Sequence, residues 1–237
     1  MATRRIAPHC APRCATTARC LLLPGALSRA EDFVSEGFVA DLQAAAPACD
    51  VVLAEAHLGY FVEGPLIERL REDAVRPGRG GPKPWLVGVS LGGFAALAYA
   101  MHHPSEIAGV LAIAPDLGRR TLLRDITAAG GPVAWSQPPP PAAGTLEAYE
   151  AIEDDLWRWL ARRADEPAAA SRESPPLFLG YGLNDRFADA QRQLQSMLPS
   201  GNTTSAPGGH DWPPWRALWR GWLQRGLLVG PGCKGTT

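Results

Sequence analysis

At 237 residues the chain suits one large α/β domain and is long enough to bury a substantial core without needing a second. Hydrophobic residues make up 46% and the formal charge is -1, which excludes the electrostatic footprint of a nucleic-acid binder or of a protein drawn to acidic membranes. A small neutral or modestly charged substrate fits this balance. The longest apolar runs, such as Phe94 to Met101, fall well short of the roughly 20 residues that span a bilayer, so no membrane span is expected. Arg4, Arg5, Arg13 and Arg19 ahead of Cys20-Leu21-Leu22-Leu23 imitate a secretory leader, but the apolar run is too short for one. Cys10, Cys14, Cys20, Cys49 and Cys233 are odd in number and lack paired spacing, which points to a reducing, cytoplasmic compartment rather than a disulfide framework. His9 with Cys10, Cys14 and Cys20 matches no common zinc spacing; no metal or cofactor is expected. Nothing in the composition speaks to oligomeric state.

Taken in order, residues 1–18 are basic and aperiodic and are expected to form a disordered or loosely docked extension. The fold is expected over 19–226, with a tail at 227–237. Cys20 to Leu23 reads as a buried strand and Pro24 to Leu27 as a loop. Ser28 and Glu31 form the pattern of a capping box that opens a helix through about Ala46. Asp50 to Ala54 is a second buried strand, followed by a loop from His57 to Gly64 and a helix with Pro65 in its first turn. Arg76 to Pro84 is a glycine and proline loop. Trp85 to Val89 is the third strand, and an alanine-rich helix from Leu91 to about His102 follows, closed by Pro104. Ile107 to Ile113 is a fourth strand, almost wholly apolar, as parallel strands covered on both faces are.

Residues 118–176 form an insertion read as a cap or lid, with Pro138 to Pro141, a helix from about Thr145 to Arg163, and Trp135, Trp157 and Trp159 available to cover a pocket. Leu177 to Tyr181 is the fifth strand and Asn202 to Ala206 a weaker polar strand suited to an edge. The final helix, from Pro213, carries Trp212, Trp215, Trp219 and Trp222 along one side, a packing face. Strands alternating with helices at this spacing predict an α/β fold with a doubly wound, mostly parallel sheet of about six strands.

The chemistry gathers at Gly88-Val89-Ser90-Leu91-Gly92, a G-x-S-x-G pattern between a strand and a helix. A serine at such an apex is strained, and Gly88 and Gly92 leave room for it by lacking Cβ atoms. The helix that follows directs its free first amides at the same point. A serine hydroxyl needs a base within hydrogen-bond reach, itself oriented by an acid. Asp185, in Gly182-Leu183-Asn184-Asp185 after the fifth strand, is the expected acid, with Asp116 and Asp211 as competitors. His210, in Gly208-Gly209-His210 after the sixth strand, is the expected base. His9, His57, His102 and His103 are its rivals, and the last two end the elbow helix at the wrong pole of the sheet. The backbone amides of Leu91 and Ala26 are the expected oxyanion donors.

With these residues in hand, the chain resembles the α/β-hydrolase superfamily from about Cys20 to Gln224. Gly88-Val89-Ser90-Leu91-Gly92-Gly93 matches its nucleophile elbow, Gly182-Leu183-Asn184-Asp185 its acid loop and Gly209-His210-Asp211-Trp212 its histidine loop. His210-Asp211-Trp212 followed by Trp215-Arg216 is similar to the putative-esterase group related to esterase D. The resemblance implies a serine hydrolase acting on a carboxylic ester or thioester of a small acyl substrate, without metal or cofactor. An acyltransferase with the same triad and a non-catalytic ligand-binding member of the fold are the alternatives. Two departures stand out. Only about 19 residues precede the first strand, where family members begin with an antiparallel strand pair, so a trimmed sheet is expected. Pro24-Gly25 stands where many esterases and lipases have His-Gly.

Overall fold

The computed structural model describes residues 1–6, 18–55, 66–78, 80–137, 148–165 and 174–228. Its strands are β1 (Thr3–Ile6), β2 (Ala18–Leu23), β3 (Cys49–Ala54), β4 (Pro84–Val89), β5 (Gly109–Ile113), β6 (Leu177–Gly182) and β7 (Thr203–Ala206). They form one 7-stranded sheet in the order β1-β3-β2-β4-β5-β6-β7. Every neighbouring pair is parallel except β1 with β3. The chain winds outward from β2 in both directions, which is the doubly wound topology that alternating strands and helices dictate.

Helices cover both faces. On one, α1 (Asp32–Ser35), α2 (Phe38–Ala45) and α9 (Trp212–Gln224) pack Phe33, Phe38, Leu42, Trp215, Trp219 and Trp222 against Cys20, Leu22, Val51, Val87 and Leu111. On the other lie α3 (Leu66–Leu70), α4 (Leu91–His102), α5 (Arg120–Ala128), α6 (Pro132–Ser136), α7 (Ala148–Asp165) and α8 (Ala188–Ser196), against Leu21, Leu23, Val52, Leu86 and Val110. Successive residues of one strand feed opposite cores, so β2, β3 and β5 are buried at every position. The tryptophan face of α9 is real packing: Trp219 stacks on Phe38 at 5.7 Å and donates its Nε1–H to the Phe38 carbonyl at 3.0 Å. Among the described residues no helix is long and apolar enough to cross a membrane.

Three expectations need correction. Thr3–Ile6 lies antiparallel to β3, with Thr3 opposite Ala54 and Ile6 opposite Val51, so this part of the 1–18 segment is a sheet strand rather than a loose extension. Its residues are exposed or half-buried; pairing rests on backbone hydrogen bonds and an Arg5–Asp50 ion pair at 2.8 Å, which leave no apolar alternation to read. Residues 7–17 lie outside the described residues. The single helix from Ser28 to Ala46 is two, divided at Gly37, whose φ of +81° an L residue with a side chain rarely adopts. The Ser28–Glu31 box does not form, because the Ser28 amide closes a turn on the Gly25 carbonyl at 3.1 Å and Asp32 instead accepts from the Arg29 amide at 2.8 Å.

The third concerns the insertion. Before its anticipated helix, seen as α7, come α5 and α6, and α7 packs on α4 and adds Leu156, Trp157 and Leu160 to the core. Trp157 is fully buried there and donates to the Leu117 carbonyl at 2.8 Å, so it is not a pocket wall. Trp135 carries the Arg158 guanidinium on its ring at 4.3 Å. Arg119 locks α7 in place through Glu153 at 2.8 Å and Asp154 at 2.7 Å.

Candidate active site

Strands β2, β4, β5, β6 and β7 end on one rim, as their register requires: Leu23 lies opposite Gly88, Val89 opposite Ile113, Ile113 opposite Gly180 and Gly182 opposite Ala206. The loops leaving this rim carry Ala26, Ser90, Asp116, Asp185 and His210. Open parallel sheets build their sites at this edge.

Ser90 joins β4 to α4 with φ +53° and ψ -120°, a conformation that a side chain makes costly. Its backbone is held on all sides. The Ser90 amide donates to the Ile113 carbonyl at 3.0 Å, and its carbonyl accepts from the amides of Gly93, Phe94 and Asp116 at 2.9, 3.2 and 3.1 Å. The flanking glycines answer to contact rather than to torsion: a Cβ at Gly88 would lie 2.1 Å from the Gly92 carbonyl oxygen, and one at Gly92 would lie 2.1 Å from that of Leu23. The loop after β2 passes close by, for a Cβ at Gly25 would sit 3.1 Å from the Ser90 Cβ and 3.7 Å from its Oγ. Ala26 follows in that loop, and Leu91 opens α4, where the first amides have no intrahelical acceptor.

His210 Nε2 lies 2.8 Å from Ser90 Oγ, and His210 Nδ1 lies 2.8 Å from Asp185 Oδ2. The other Asp185 oxygen accepts from the Phe187 amide at 2.8 Å, and the Asp185 side chain is fully buried. The histidine loop is pinned to the acid loop where the Asn184 amide donates to the Gly208 carbonyl at 2.9 Å. A Cβ on Gly182 would fall 2.5 Å from that same oxygen. The imidazole is set between two aromatic edges, Phe187 and Trp215, each 5.0 Å away and near-perpendicular to it.

The competing acids and bases take no part in this hydrogen-bonded file. Asp116 Oδ1 accepts from the Gly118 amide at 3.3 Å rather than from the imidazole. Asp211 is exposed at the N-terminus of α9. His102 and His103 end α4 at the opposite pole, and His9 and His57 lie outside the described residues. Phe187 and Trp215 went unassigned to the site in the sequence, because an aromatic beside a histidine in space leaves no spacing signal. Glu55, at the rim end of β3, was also silent; its carboxylate accepts from the Ala30 amide at 3.1 Å and fastens the segment beyond Ala26. Cys20 and Cys49 are unpaired and buried. Burial pushes both thiols up, Cys49 to about 12, so neither supplies a thiolate.

Structural comparison finds S-formylglutathione hydrolase of Staphylococcus aureus at a TM-score of 0.62 and 13% identity, covering 90% of this chain and 82% of that one. A fluorophosphonate-binding serine hydrolase of the same organism matches with a TM-score of 0.65 and 14% identity, over 95% and 91% of the two chains. Monoacylglycerol lipase of Paleococcus ferrophilus is similar at 0.55 and 16%, over 95% and 98%. At these identities the common property is the fold. No curated protein sequence matches the chain. The model of the alpha/beta hydrolase family matches residues 7–234, and the chain belongs to that family.

Proposed function

We propose that the protein is a serine hydrolase that cleaves carboxylic esters or thioesters through an acyl-enzyme on Ser90. The observation that carries this reading is the unbroken file of hydrogen-bond distances, Ser90 Oγ to His210 Nε2 and His210 Nδ1 to Asp185 Oδ2, each 2.8 Å. Membership of the family, and the resemblance in fold to proteins named for S-formylglutathione and monoacylglycerol, support the substrate class.

In this reading Asp185 accepts the Nδ1–H and leaves Nε2 as a lone-pair acceptor for the serine proton. Ser90 Oγ attacks the acyl carbon as its proton passes to Nε2. The developing oxyanion is held by the amides of Leu91 and Ala26, each worth about 3 kcal/mol in the transition state. His210 then gives the proton to the departing alkoxide or thiolate, which breaks the ester bond. Water loses a proton to His210, attacks the acyl-enzyme and releases the acid with Ser90 restored. The buried, unpaired Cys20 and Cys49 support a reducing, cytoplasmic setting.

Turnover of p-nitrophenyl esters and coenzyme A thioesters of graded chain length tests the proposal. Ser90→Ala and His210→Ala should each lose at least about a thousandfold in kcat while circular dichroism stays that of the native protein. Undiminished turnover in Ser90→Ala would refute the mechanism. Binding of these acyl compounds without turnover by the native protein would instead favour a non-catalytic receptor, and product in which an added alcohol takes the acyl group would show a transferase.

A further inference from the structure

The ends of β4, β5 and β6 lie side by side and carry, in that order, Ser90, Asp116 and Asp185. His210 arrives from beyond β7, so its imidazole, bonded to Ser90 on one side and Asp185 on the other, spans the rim above β5. The turn at this point is tightly fixed. Ala114 has φ +48°, a strained value for a residue with a Cβ, and its amide donates to the Gly180 carbonyl at 2.7 Å. Gln191, fully buried on α8, donates to the Pro115 carbonyl at 3.3 Å. The Asp116 amide donates to the carbonyl of Ser90 itself.

A second carboxylate is thereby anchored one backbone hydrogen bond from the serine. It is half-buried and within electrostatic range of His210, Arg186 and Asp185. Burial holds its carboxyl above the ordinary value, against the Gly118 amide and the charges of His210 and Arg186, which favour ionisation. Strain concentrated at a site rim is a reason to look for function there.

Resting on the serine-hydrolase reading, we infer that Asp116 is a positioning residue of the site: its negative charge, beside that of Asp185, stabilises the imidazolium that His210 becomes during acylation and deacylation. Asp116 from the β5 loop and Asp185 from the β6 loop are then the two carboxylates beside the imidazole, and Arg186 from the β6 loop bears on Asp116. Both carboxylates favour the cation, while Phe187 and Trp215 contribute ring edges without charge. Asp185 fixes the tautomer through a hydrogen bond, whereas Asp116 acts through space.

The test is the pH dependence of kcat/KM for a p-nitrophenyl ester in the native protein, Asp116→Asn and Asp116→Glu, with Ser90→Ala as the blank. Free imidazole is the active form of the base, so the activity rises as His210 loses its proton. Removing a nearby negative charge makes the imidazolium less favourable. The acidic limb of Asp116→Asn should therefore move to lower pH, by about half a unit or more, and its plateau kcat should fall several-fold with KM little changed. Asp116→Glu, which restores the charge, should return the limb toward its native position. If Asp116→Asn fails to fold by circular dichroism, Asp116→Ser is measured in the same way. A limb that coincides with the native one in the neutral variant overturns the inference and leaves the hydrolase reading standing. Turnover that survives in Ser90→Ala is the separate outcome that defeats the hydrolase reading, and this inference with it.

Discussion

Ser90 is held in its strained backbone conformation by four backbone hydrogen bonds and by the close-packed Gly88 and Gly92, so the direction of its Cα–Cβ bond is fixed by the backbone. The weak point of this arrangement is contact. Gly92 has the Leu23 carbonyl oxygen where its Cβ would go, 2.1 Å away, and that of Pro24 at 2.6 Å; no flexible side-chain end yields there, only the backbone that carries Gly25 and Ala26. Gly92→Ala should therefore cost about 3 kcal/mol or more and displace the loop that carries Gly25 and Ala26. Urea denaturation and ester turnover measured together check this: both should drop, and a variant with native stability and native turnover would show that the loop does not pack on the elbow as described. His210 is constrained differently, by two hydrogen bonds along its ring and two aromatic edges across it, which leave the imidazole little freedom to rotate out of line.

Among the elements, α2 and α9 show how the face beneath the histidine loop is kept together. Asp41 on α2 receives Arg216 at 2.8 Å and Arg220 at 2.9 Å, both from α9. Burial works against ionisation of Asp41, but the hydrogen bonds and charges of the two guanidiniums outweigh it and hold its carboxyl below the ordinary value. A carboxyl lowered in this way adds stability that is present above its unfolded value, near 4, and is lost as the pH falls through the lower folded value. Asp41→Asn should lower the thermal midpoint at neutral pH by about 2–4 °C, with the gap to the native protein closing under strong acid. A gap of equal size at acid and neutral pH would contradict this account of the clamp.

Legibility in the sequence followed how much of each element's reason lies within it. β4 and α4 were evident because an apolar strand, a glycine-bracketed serine and an alanine-rich helix each carry their own signal. β1 was not, since Thr3-Arg4-Arg5-Ile6 owes its conformation to a partner strand far along the chain. α5 was missed because it buries only Leu122 and Ile126, one short stripe in a polar run. Gly37 divided α1 from α2 through a torsion that its sequence neighbours do not announce.

Across the whole molecule, the parallel order of the sheet turns distance along the chain into proximity at one rim. Asp116 and Asp185 each follow a strand end, and in sequence Asp185 was the expected acid with Asp116 as its competitor. Their difference arises from the third dimension, where the Gly208 carbonyl docks on the Asn184 amide and brings Nδ1 to Asp185. Substrate identity is less legible still, because it depends on the loops above the rim rather than on the strands that define it. Hydrolysis by the proposed route requires Ser90 to form a covalent bond to the acyl group. Intact-protein mass spectrometry after brief treatment with an alkyl fluorophosphonate tests it most directly. A single adduct, mapped by peptide sequencing to Ser90, lost in Ser90→Ala and greatly slowed in His210→Ala, is the predicted result; an adduct on another residue, or one that persists unchanged in Ser90→Ala, would contradict it.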